Sequence, residues 1–144
     1  TFLLLNKLRA ENGVQTKLIL NRALTKGARQ HSWDMAENIQ NMSHTSSDGI
    51  TQSFDRIKAI IKAEDDANFS GRTGENVGRG TFGGTTTIYD AIKRVHYNIF
   101  MPEPDEGCNH RTTILSTCLP FSEVGIGVYT KDSLAYFTED FISR

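Results

Sequence analysis

The sequence predicts an α+β fold in which helices pack over a small antiparallel sheet. Apolar residues recur at steps of three and four through most of the first hundred positions, and after Pro120 the pattern changes to alternation. The two alternating runs are separated only by the short polar link Thr130 to Ser133, which suits an antiparallel hairpin. Helices before and around a few late strands form the layered arrangement of an α+β domain.

Each element has its own signal. Phe2 to Asn12 carries one apolar face and ends where Gly13 follows, so a first helix is expected there. Asn21 is placed to cap a second, long helix whose stripe runs through Leu24, Ala28, His31, Met35, Ile39 and Met42. Phe54, Ile57 and Ile61 mark a third helix, stopped by the polar stretch before Gly71. From Gly71 to Thr87 glycine and threonine dominate, and the stretch reads as loop with one strand. Ile88, Ala91, Ile92, Val95 and Ile99 restore helical spacing behind a Thr86 or Thr87 cap, until Pro102 and Pro104 forbid continuation. Cys108 to Leu115 fits a short fifth helix. The strands are expected around Val124, Ile126 and Val128, and around Ala135, Phe137 and Phe141.

The totals bound the function. A length of 144 residues with 38% hydrophobic content suits one domain spanning residues 1–144. A net charge of -1 offers no field to attract nucleic acid. No apolar run approaches the roughly 20 residues that cross a bilayer, so no transmembrane segment is expected. The start at Thr1 rather than Met reads as the trace of a removed upstream segment, such as a secretion signal. Cys108 and Cys118, the two cysteines, suit either a local disulfide or two unpaired core residues, and count alone does not choose.

Three short stretches carry chemistry. His44 follows the long helix and precedes "TSSDG", a run of turn-forming residues that would present its imidazole. Glu75 projects from between glycines in "TGENVG". His110 opens the fifth helix, where free N–H groups and the helix dipole favour neutral imidazole, the form that binds metal or accepts a proton. His31 lies in the apolar stripe of the second helix and is read as a hydrogen-bonded packing residue. His96 is placed toward water or an edge. No G-x-S-x-G turn, H-E-x-x-H motif or paired C-x-x-C is present.

Taken in order, "LLNKLRAENG", "ARQHSWDMAENIQNMSHTSSDG", "GENVGRG", "NHRTTIL", "EVGIGVY" and "YFTEDF" resemble bacterial members of the CAP superfamily, the cysteine-rich secretory, antigen 5 and pathogenesis-related proteins. The resemblance spans nearly the whole chain. It implies a three-layer α-β-α sandwich with a small central antiparallel sheet, export to the cell surface or medium with an anchor in the removed segment as one route, and with export a Cys108–Cys118 disulfide. It also implies a cleft lined by two histidines and acidic residues, which by motif are His44, Glu75 and His110. The family tryptophan falls on Val95 in this reading, and the glutamate three residues after it falls on Asn98, which places a neutral amide in the cleft.

The function implied is that of an extracytoplasmic binding or interaction module, a monomer, whose His44, Glu75 and His110 hold zinc or another divalent metal weakly. The ligand or partner is a protein, a lipid or a small molecule. Two alternatives accompany it. One is a hydrolase in which a histidine, or metal-activated water oriented by Glu75, attacks a peptide. The other is a lipid- or sterol-binding protein with an apolar groove between helices.

Overall fold

A computed structural model describes residues 1–144. In chain order it contains α1 (Phe2–Glu11), β1 (Ile19–Leu20), α2 (Arg22–Asp34), α3 (Ser53–Glu64), β2 (Thr73–Thr81), α4 (Ile88–Val95), α5 (His110–Leu115), β3 (Glu123–Lys131) and β4 (Leu134–Ile142). The four strands form one sheet in the order β1-β3-β4-β2. β3, β4 and β2 are antiparallel neighbours, and the short β1 adds to β3 in parallel. Since β2 ends the row, one of its sides is unpaired.

Alternation sorts the layers. On one face Val124, Phe137 and Phe141 join Leu4, Leu5 and Leu8 of α1, Ile92 and Val95 of α4, and Ile114 and Leu115 of α5 in the main core. On the other face Ile142 packs with Ala23 and Leu24 of α2 and Ile57 and Ile61 of α3, while Val77 and Tyr136 meet Met35 and Ala36. Helices therefore cover both faces, as an α-β-α sandwich. α2 sits unusually close to the sheet because β3 presents glycines to it. A Cβ on Gly125 would lie 2.2 Å from Leu24, and one on Gly127 2.2 Å from Ala28.

Local signals explain the ends of the helices. Asn21 accepts from the Leu24 N–H at 3.0 Å, and Thr87 forms a reciprocal cap with Asp90. Buried Arg9 ties α1 to α5 by donating to the Ile114 carbonyl at 2.7 Å and to Ser116 Oγ at 2.7 Å. The region read as loop with one strand contains β2, which pairs with β4 along its whole length. The fifth helix begins at His110 rather than Cys108, because Asn109 caps it by accepting from Thr112 N–H at 2.9 Å.

Two helices end in wide turns that sequence spacing does not anticipate. α2 continues as a π-helical turn over Met35–Ile39 and stops at Gln40, which adopts a left-handed φ of 57°. α4 continues the same way over His96–Phe100, with Met101 N–H donating to the His96 carbonyl at 2.9 Å. A π turn inserts an extra residue, so the buried stripe slips by one position. After Val95 the next buried apolar side chain is Phe100, and Ile99 is turned out to solvent. Met42 and Phe54, also expected on apolar stripes, are likewise exposed.

Candidate functional site

The cleft lies across edge strand β2, where alternation sends neighbouring side chains to opposite faces of the sheet. Glu75 belongs to the α2–α3 face, with Asp140 as its partner across the β4 ladder, and Asn76 to the other, partnered by Glu139. His44, Glu75, Glu103 and His110 line one cavity of about 330 Å³, with Asn76 and Phe121 among the other walls.

The His44 side is built by a knotted loop. Asp48 accepts from the N–H groups of Ile50 and Thr51, each at 2.8 Å, and Ser47 N–H donates to Asp34 at 2.8 Å. Arg56, from the first turns of α3, donates to the His44 carbonyl at 2.9 Å and to Glu75 Oε2 at 2.5 Å. The other Glu75 oxygen accepts a hydrogen bond from His44 Nδ1 at 2.8 Å. Glu75's side chain is only 1% exposed whereas His44's is 52% exposed, so the carboxylate is the fixed partner and the imidazole the presented one. Burial works against the charge on Glu75, but the His44 hydrogen bond and the Arg56 guanidinium outweigh it and hold the carboxyl below its usual range.

The His110 side repeats this logic on the opposite face. Glu103 Oε1 accepts from His110 Nδ1 at 2.7 Å, and its second oxygen accepts from the Arg111 N–H at 3.3 Å. The imidazole stacks flat on Phe100, and Asn76 donates to the His110 carbonyl at 3.4 Å. Against a carboxylate each of these imidazoles donates from Nδ1, and in the neutral ring that leaves Nε2 as the acceptor.

Two carboxylates lie deeper. Asp140 is fully buried beside Glu75, and one of its oxygens has no partner. Burial and the neighbouring Glu75 charge push its carboxyl well above the usual range, so it is the protonated member of the pair. Glu139, on the other face, accepts from Asn76 at 3.2 Å and pairs with His96 Nε2 at 2.7 Å.

Several expectations change. Asn98 is exposed and lines a separate surface depression with Asp90, Lys93 and Arg94, outside the cleft. Phe100, at the end of the π turn, and not Val95 stacks on the histidine, and Glu103 follows three residues later. An aromatic–x–x–Glu spacing was present at Phe100–Glu103, but Pro102 and Pro104 read only as helix terminators. His96 does not face water: it is 0% exposed, with Nδ1 donating to the Ile92 carbonyl at 2.9 Å and Nε2 on Glu139. His31 is buried outside the cleft, bonded through Nε2 to the Ser43 carbonyl at 2.6 Å. Nothing in the sequence singled out Arg56, Glu139 or Asp140, whose partners lie far along the chain. Cys108 and Cys118 are joined, Cα atoms 5.3 Å apart, because Ser116 at φ 56° turns the chain back after α5.

No three His, Cys, Asp or Glu side chains converge as metal ligands. Glu75 is buried, and its two oxygens already accept from His44 and Arg56. What remains is two imidazole Nε2 atoms, each backed by a carboxylate on Nδ1, which is the outer-shell arrangement that orients metal-binding histidines.

The sequence matches the model of the cysteine-rich secretory protein family, CAP, over residues 2–141. No curated protein matches the chain. Among solved structures, an extracellular protein containing an SCP domain from Bacillus anthracis superposes with a TM-score of 0.67 at 22% identity, over 99% of this chain and 39% of that one. An outer surface protein from Borrelia burgdorferi gives 0.65 at 20% identity, covering 99% and 89%. A cysteine-rich secretory protein from Staphylococcus aureus gives 0.57 at 17%, covering 99% and 36%. At these identities the likeness is one of fold, and this chain spans well under half of the Bacillus and Staphylococcus proteins.

Proposed function

Because the chain belongs to the cysteine-rich secretory protein (CAP) family, we propose that it acts outside the cytoplasm as a binding module, with the cleft between His44 and His110 as its ligand site. The observation that carries this reading is the pair of His–Glu couples that line one cavity, each imidazole held through Nδ1 by a carboxylate. A divalent cation such as Zn²⁺ would be held by His44 and His110, with Glu75 and Glu103 fixing the rings. Such a cation supplies Lewis acidity when bound. Two protein ligands make the site weak, since structural zinc sites use four and catalytic ones three.

Binding is favoured over turnover by the lining. The one cysteine in the cleft, Cys108, is disulfide-bonded, and no serine lines it. The extracytoplasmic location is supported by that disulfide, which persists in oxidising compartments, and by the similar Bacillus and Borrelia proteins, an extracellular protein and an outer surface protein. No helix is long and apolar enough to cross a membrane.

Calorimetric titration of Zn²⁺ into wild type, His44→Ala and His110→Ala, paired with a peptide-cleavage assay on the loaded proteins, tests the reading. Each substitution is expected to abolish measurable binding, and no sample is expected to cleave. Affinity unchanged by both substitutions removes the cation site. Cleavage lost in both variants makes the protein a hydrolase.

A further inference from the structure

On the far side of Arg56 from the histidine cleft, α2 and α3 leave a groove of about 610 Å³. Its length is set by small residues: Gly27 on α2, and Ala59 and Ala63 on α3. A Cβ on Gly27 would meet Ile60 at 3.2 Å, so the glycine is what lets α3 lie this close. Trp33, the only tryptophan in the chain, stands at this groove with 44% of its surface exposed. An exposed indole beside alanine and isoleucine is an apolar surface with a π face.

The groove's charged groups are mostly of one sign. Asp34, Asp48 and Asp55 all line it, against a single arginine. Arg56 is spent elsewhere, donating to Glu75, to the His44 carbonyl and to Ser46 Oγ. Asp34 and Asp48 are kept ionised. Burial opposes the charge on Asp34, but hydrogen bonds from Asn38 and Ser47 outweigh it, and Asp48 accepts from Thr51 and Ile50. His31, also in the lining and itself buried, has its Nε2 on the Ser43 carbonyl and its Nδ1 without a partner. A carbonyl only accepts, so Nε2 bears the proton and Nδ1 is a bare acceptor. The groove thus offers acceptors, negative charge and an aromatic face, and no free cation.

We propose that the α2–α3 groove is a second binding site, for a small organic cation with an apolar body, such as an aryl-alkyl amine. The apolar body lies along Ala59, Ile60 and Ala63 against the Trp33 ring. The ammonium head, with donors only, is complementary to Asp55 and its acidic neighbours, and a cation near indole gains from the ring quadrupole. A carboxylate head would meet three like charges.

Trp33 reports on the groove directly, since no other tryptophan contributes to the emission. Phenethylamine, 2-phenylethanol and 3-phenylpropionate share a phenyl body and differ in the charge of the head. Titrated at low salt into the whole chain, phenethylamine is expected to change Trp33 emission saturably, with the alcohol at least about tenfold weaker and the carboxylate not saturating. Asp55→Asn should weaken the amine toward the affinity of the alcohol. Ala59→Phe, at an exposed position where folding can be verified by circular dichroism, should abolish the response by filling the groove. Equal affinity for amine and alcohol, a non-saturating amine, or an unchanged Asp55→Asn variant overturns the proposal.

Discussion

Phe100 lies flat on His110, ring centroids 4.0 Å apart and planes 4° from parallel, while Glu103 holds the same imidazole through Nδ1 at 2.7 Å. One short segment after α4 therefore both supports the ring and sets its tautomer. The His44–Glu75 couple has no such aromatic floor and relies on Arg56 to fix the carboxylate.

Glu103→Gln keeps the shape of this contact and removes its charge. Loss of an outer partner to a ligating histidine typically weakens metal affinity by about 10- to 100-fold, and Zn²⁺ affinity is expected to fall within that range. Calorimetry against wild type reads the change. An unchanged affinity shows that Glu103 does not orient a ligand.

Asp140 is expected to shape acid–base stability. Its carboxyl pKa is raised by burial and by Glu75, so folding favours the protonated form. That contribution is complete below the unfolded carboxylate value of about 4 and is lost as pH rises toward the folded value. Asp140→Asn is neutral throughout. It should match wild type in acid and exceed it in stability at neutral pH. Urea unfolding of both proteins across pH measures the difference, and parallel curves contradict it.

His96 works with the opposite chemistry. Burial disfavours its charge, but the Glu139 carboxylate and the Ile92 carbonyl outweigh this and raise its pKa. Stability from the pair is therefore fully present below the unfolded histidine value of about 6.5 and is lost as pH rises through the folded value above it. Wild type should weaken over that alkaline window, and His96→Phe should lack the slope. The same urea series detects it.

The Cys108–Cys118 bridge closes a small loop that contains α5 and His110. The double variant Cys108→Ser, Cys118→Ser is expected to lose about 2–3 kcal/mol by loop entropy. Thermal unfolding with and without reductant checks this, and equal stability in all samples refutes it.

Helices, strands and hairpin were legible because periodicity is local: each apolar stripe or alternation is written in consecutive residues, and caps such as Asn21 and Thr87 stand beside the helices they start. Motif order likewise brought His44, Glu75 and His110 into one reading, and the cavity contains all three. Phe100 and Glu103 went unassigned and Asn98 was placed in the cleft because the aromatic position was set on Val95, five residues early. Helix periodicity does not fix that alignment, and the π turn after Val95 alters the regular phase besides. Arg56, Asp140 and the His96–Glu139 pair needed the tertiary structure. Their meaning comes from partners far along the chain, brought together by sheet register and by helices docked on opposite faces, and a side chain's burial and charge follow from those partners rather than from its neighbours in sequence.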